Sequence, residues 1–216
     1  MNIIFIEQLP ALCQAIGDLF AEKKEELCAL DAKLGDGDLG LTMSKGFGAL
    51  PDQIRMLLNQ SEHDVGKILM KAGMQMASSV PSTMGFLMSS GIIEGGKALK
   101  GRSELDGPAL AAYLSGFASG IQKRGKCEKG QRTIYDAIQP AAAAAEKIVS
   151  DDSQAELESV ISVSECAAKS GVEETKNMAP VFGKAAVHAA QCKGIADQGA
   201  LAGYYMLLAM KNYICS

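Results

Sequence analysis

The run LDAKLGDGDLGLT, residues 30 to 42, places Asp31, Asp36 and Asp38 within eight positions and threads Gly35, Gly37 and Gly40 between them. Glycine and aspartate both disfavour a helix interior, and glycine permits positive φ and close backbone approach. Helical sequence lies on both sides, so the run is expected as a tight loop whose carboxylates converge near the start of the next helix. Three anions so close need a counter-charge, which Lys33 and Lys45 supply only in part. Hard divalent cations take carboxylate oxygens, and Mg²⁺ shares such ligands with phosphate. The plain alternative has Asp36 and Asp38 making Asx turns and capping a helix from Leu39. An EF-hand is excluded: counting from Asp36, position twelve is Phe47, where a bidentate glutamate is required.

The rest of the chain reads as helices. Aromatics are only 5% of the 216 residues, Trp is absent and 11 residues are Met, so the core is one of Ala, Leu, Ile and Met, as in packed helices. The length suits a single domain over residues 1–216. From Phe5, apolar positions Leu9, Leu12, Ile16 and Leu19 recur at helical steps, with Pro10 in a first turn and AEKKEEL continuing the helix toward Leu30. Further helices are expected from Leu39 to the residue before Pro51, from an N-cap at Ser61 to Ala77, and from Pro108 to Lys123. Between the last two, SSVPSTMGFLMSSGIIEGG breaks at Val80-Pro81 and restarts as a nearly all-apolar helix, which belongs at the centre. Another begins near Gln131 after a basic turn that contains Arg132. Glu158, Glu165, Glu173 and Glu174 read as exposed face charges, and His188, among alanines, as a core or rim histidine.

A net charge of −4 and a pI near 5.3 leave no basic stripe for nucleic acid and argue against an anionic membrane surface. No apolar run reaches membrane-spanning length. MNIIFIEQLP lacks the basic start of a signal peptide, and six cysteines without a CxxC pair fit reduced thiols in a cytoplasm. GDGDLG has no preceding strand and no lysine-serine ending, so neither a Walker loop nor a Rossmann fingerprint is present.

LDAKLGDGDLG followed by LTMSKGF resembles the signature of the nucleotide-binding L subunit of dihydroxyacetone kinases, an aspartate and then Gly-Asp-Gly-Asp-His-Gly. The resemblance runs in order along nearly the whole chain. It implies an all-α fold, an antiparallel barrel of about eight helices, with ADP or ATP at one end. Asp31, Asp36 and Asp38 would then hold Mg²⁺ against the nucleotide phosphates. Leu39 stands at the family histidine, and Leu39, Gly40, Leu41 and Thr42 would border the phosphates. VPST replaces a glycine-rich phosphate loop, making Ser82 and Thr83 the matching residues. KRGKCEKGQRTIYD is similar to Arg-Gly-Lys…Gly-Asp-Lys-Thr-Met-Asp, which sets Gly125 and Ile134 beside the nucleotide and Gln131 at the family aspartate. Lys184 falls where the family has arginine, and Asp197, Gln198 and Gly199 fall on its Asp-Pro-Gly turn.

What the resemblance implies about activity is phosphoryl transfer to dihydroxyacetone or a related short keto-sugar. The sugar would be held by a separate K-type subunit, with a phosphohistidine phosphotransferase protein rather than free ATP as the favoured donor. A homodimer is left open. The rival reading is an ADP-binding sensor or scaffold with little transfer activity that engages a regulator.

Overall fold

The structure, a computed structural model, describes residues 1–187 and 189–216. The sequence reading of His188 therefore falls outside the described residues. Ile4–Phe5 (β1) pairs antiparallel with Glu104–Leu105 (β2), and every other regular element described is helical. The helices are α1 (Leu9–Glu22), α2 (Lys24–Asp31), α3 (Leu39–Gly48), α4 (Leu50–Asn59), α5 (Val65–Ser79) and α6 (Thr83–Ala98). They continue as α7 (Gly107–Gly125), α8 (Tyr135–Asp151), α9 (Leu157–Thr175), α10 (Gly183–Val187) and α11 (Gln198–Ile214).

The circuit α1, α4, α5, α6, α7, α8, α9, α11 packs each helix on the next, and α11 returns to α1, so eight helices close a ring as expected. Inside it, Phe20 and Phe47 lie with ring centroids 4.8 Å apart, and Met43, Ile54, Ile68, Met76 and Met88 are wholly buried. Each such side chain contributes about 1.5–3 kcal/mol on leaving water, and the flexible thioethers fill the gaps that a core poor in aromatics leaves. α3 is not a member of this circuit: it packs on α1 and α2, touches α4, α5 and α6, and sends Met43 and Phe47 into the core.

Several boundaries differ from the sequence reading, each for a physical reason. Phe5 is in the strand, and the chain turns at Lys23, so AEKKEEL divides between α1 and α2. The proline at 51 does not end helical structure; it sits in the first turn of α4, where its missing N–H costs nothing. Asp64, not Ser61, caps α5 by accepting from Lys67 N, and its other oxygen takes Gly101 N; Ser61 is left-handed at φ 61°. α8 begins at Tyr135 rather than near Gln131. Glu165 is buried and paired with Lys211, which ties α9 to α11.

Candidate functional site

Segments distant in sequence meet in one cavity of about 540 Å³, within the range of small-molecule sites. The aspartate loop supplies Asp31, Asp36 and Asp38; the start of α3 supplies Leu39 and Thr42; the turn into α6 supplies Ser82 and Thr83; and the remaining wall brings Ile134, Lys184, Asp197, Gln198 and Gly199. A second cavity of about 400 Å³ adjoins it, sharing Thr83 and Ile134 and adding Gly125. Two of the expected residues take other places. Gly40 is buried where a Cβ would run into the carbonyl of Lys24, and Leu41 is exposed on the outer side of α3.

The three aspartates divide their work. Asp31, at the end of α2, is buried, and its Oδ2 accepts from Gly37 N at 2.9 Å, Asp38 N at 3.1 Å and Leu39 N at 3.3 Å. That one oxygen satisfies the turn and the first free N–H of α3. Asp36 and Asp38 are therefore not needed as turn and cap residues: Asp38 precedes α3 without capping it, and Asp36 forms an ion pair with Lys184. The expected partners Lys33 and Lys45 are not the ones the fold supplies. Lys184 reaches the loop because Leu34, Ala185 and Cys192 form a small apolar cluster that docks its segment there.

Ser82 caps α6, its Oγ accepting from Gly85 N at 3.0 Å, which leaves the hydroxyl proton free to donate into the cavity. Beyond it, the 126–134 loop is shaped from below by Asp136, which accepts from Gly130 N at 2.5 Å and Thr133 N at 2.7 Å. Arg132 in this loop is buried, contrary to the solvated basic turn expected. Its Nη2 donates to the carbonyls of Ile195 at 3.0 Å and Ala196 at 3.4 Å, and its Nη1 lies 3.7 Å from Asp197. Asp197 caps α11 by accepting from Ala200 N at 2.8 Å. Burial pushes its carboxyl up to about 6, against the pull of the Ala200 N–H and of Arg132.

Hard oxygen donors from one or two carboxylates, shared with phosphate oxygens and water, suit Mg²⁺. Among the described residues no three acidic, histidine or cysteine side chains yet gather as a metal cluster. A further observation bears on the fit: Gln198 donates to Asp31 Oδ1 at 3.3 Å, while its own Oε1 is buried without a partner on the cavity wall. A buried unpaired acceptor beside carboxylates is satisfied by a cation or by the water it carries. The residues present therefore fit the ion.

Sequence reasoning missed Arg132, Asp136 and Phe182. The first two sit in the segment that carried the family likeness, but nothing local marks them as buried. Phe182 precedes the matched Lys184 and lines both cavities.

An all-helical ring with an acidic, hydroxyl-bearing and cationic cleft, and no Walker or Rossmann strand among the described residues, defines a class of helical domain whose cleft is lined by loop carboxylates. The chain belongs to the DAK2 domain family, whose model matches residues 33–212. It is 28% identical over 191 residues to an Escherichia coli protein described as the ADP-binding subunit DhaL of a PEP-dependent dihydroxyacetone kinase, covering 88% of this chain and 89% of that one. A Listeria innocua protein, the ADP-binding subunit DhaL of PEP-dependent dihydroxyacetone kinase 2, is 33% identical over 127 residues, 59% of this chain and 58% of its own. The fold matches the crystal structure of the dihydroxyacetone kinase from C. freundii in complex with AMP-PNP and Mg²⁺. That match has a TM-score of 0.68 at 22% identity and covers 96% of this chain and 34% of the crystal chain.

Proposed function

We propose that the chain is the nucleotide-binding, phosphoryl-transferring subunit of a dihydroxyacetone kinase, and that it works with a K-type sugar-binding partner. The observation that carries this is the division of labour in the aspartate loop: Asp31 alone satisfies the turn, so Asp36 and Asp38 face the cavity without a structural duty.

In this reading Asp36 and Asp38, with Asp31 behind them, hold Mg²⁺. When bound, the ion neutralises phosphate charge and so lowers the barrier to transfer. The chain's own residues do the positioning. The first N–H groups of α6 and the hydroxyls of Ser82 and Thr83 donate to phosphate oxygens. Lys184 turns from Asp36 to the phosphates as a point charge, without the bidentate fork an arginine would bring. Ile134 and Gly125 border the nucleoside. Catalysis in such a site is positioning and charge compensation, with no covalent intermediate on the protein. ADP is the resident nucleotide in this reading, in keeping with relatives described as ADP-binding subunits of PEP-dependent kinases, and a phosphohistidine protein recharges it.

The test is direct. The protein is purified gently and denatured, and the released nucleotide and metal are identified by chromatography and elemental analysis. Near-stoichiometric ADP with Mg²⁺ is the expected result. An empty protein that also fails to bind Mg²⁺ with ADP or ATP in calorimetry would overturn the reading.

A further inference from the structure

The two cavities meet along a seam, and Phe182 is on it. The first cavity holds charge: Asp36, Asp38, Lys184 and the start of α11. The second holds Phe86, Leu87, Cys127 and Ile134, and among the described residues that line it Arg124 is the only charged one and none is a carboxylate. A single exposed apolar side chain calls for no explanation, but Phe182 is 41% exposed where an ionic cavity gives way to an apolar one. Lys184, two positions on, lines only the charged cavity; between them Gly183 takes φ 65°, a left-handed turn that a side chain would strain. On the other side of the seam the Arg124 guanidinium lies 5.0 Å from the Phe86 ring centroid. The cation of the apolar cavity is thus already tethered to an aromatic face.

A ligand that fits both cavities is a polyanion at one end and a flat, neutral ring at the other. We propose that Phe182 stacks on the nucleotide base, so that the base is held by its face. This deepens the nucleotide reading above and rests on it. Val181 N donates to the carbonyl of Gln131 at 3.4 Å, which fastens the Phe182 segment to the loop that carries Thr133 and Ile134. With no carboxylate in the second cavity to read a purine edge, the stacking surface is what the base finds there.

The test separates base from phosphate. Mg²⁺ with ADP, and Mg²⁺ with pyrophosphate, are titrated into wild type, Phe182→Ala and Phe182→Trp by calorimetry. Phe182→Ala should weaken ADP about tenfold, within the range measured when a base-stacking aromatic is removed, and leave pyrophosphate unchanged. Phe182→Trp should keep the ADP affinity. Because the chain has no Trp, its emission then reports from one site and should change with ADP but not with pyrophosphate. Equal ADP affinity in wild type and Phe182→Ala would overturn the proposal. So would an equal loss for both ligands, which would make Phe182 a support for the Lys184 segment. If wild type itself binds no ADP, the nucleotide reading fails before any substitution is made, and the two failures are told apart.

Discussion

Asp31, Asp36 and Asp38 share a chemistry and differ in surroundings, and the difference makes their substitutions separable. Removing the Asp31 carboxylate strands the N–H groups of Gly37, Asp38 and Leu39, and an unsatisfied buried donor costs about 1–3 kcal/mol. Asp31→Ala should therefore lower the ligand-free melting temperature. Asp36→Ala breaks only an exposed ion pair with Lys184, so it should abolish Mg²⁺-dependent nucleotide binding and leave the helical circular dichroism and the ligand-free melt unchanged. Equal destabilisation by both would refute this division. Asp197 carries a pH dependence of opposite sign to an ordinary paired carboxylate. Burial raises its carboxyl from 3.8 to about 6, so between those values the folded chain binds more protons than the unfolded one. Its contribution to stability is present below about pH 4 and is lost as pH rises through about 6, roughly 3 kcal/mol at most. Asp197→Asn keeps a capping acceptor and cannot titrate. The stability difference between wild type and this variant, measured in urea at pH 4 and pH 7, should shift in favour of the variant at the higher pH.

At the scale of elements, close approach matters more than propensity. The start of α3 lies on the backbone of α2 because Gly40 has no side chain; a Cβ there would meet the Lys24 carbonyl and the Cys28 thiol. Gly40→Ala should push α3 off α2, cost about 1–3 kcal/mol as overpacking does, and weaken nucleotide binding through the displaced loop. Unchanged stability and affinity in calorimetry would show that α3 can slide without moving the aspartates. The sequence made this loop and its flanking helices legible, because glycines and aspartates break a strong 3.6-residue period. It made α11 legible too, since Asp197 stands just before an apolar helical run. The turn at Lys23 was hidden: AEKKEEL favours helix throughout, and what α2 packs on, α3 and the distant α11, lies outside that run. Arg132 was hidden for the same reason, since its burial is decided by carbonyls 63 and 64 residues away. Leu39, which stands at the family histidine, both lines the cavity and is a buried member of the main core.

At the scale of the whole molecule, the ring closes through its ends: α11 packs on α1, and the Met1 ammonium donates to the Ile214 carbonyl at 3.0 Å and pairs with Glu158. The cleft, by contrast, is assembled from the aspartate loop, the turn into α6, residues 132–134 and residues 182–185 and 197–199, which only the folded chain brings together. A ligand bound there has no counterpart site in the unfolded chain, so its binding free energy adds directly to stability. At free ligand one hundred times Kd the gain is about 2.7 kcal/mol. For a chain of 216 residues that should raise Tm by roughly 5–10 °C, at about 2–4 °C per kcal/mol. Mg²⁺ with ADP should produce this rise in differential scanning fluorimetry, and chelation with EDTA should cancel it, because in the proposed site the aspartates would then repel phosphates that the cation no longer joins to them. The Asp36→Ala variant should melt like ligand-free wild type with or without the pair of ligands. A full shift that survives EDTA would mean that the nucleotide is held by N–H groups, hydroxyls and Lys184 alone, and the aspartate loop would lose its place as the metal site.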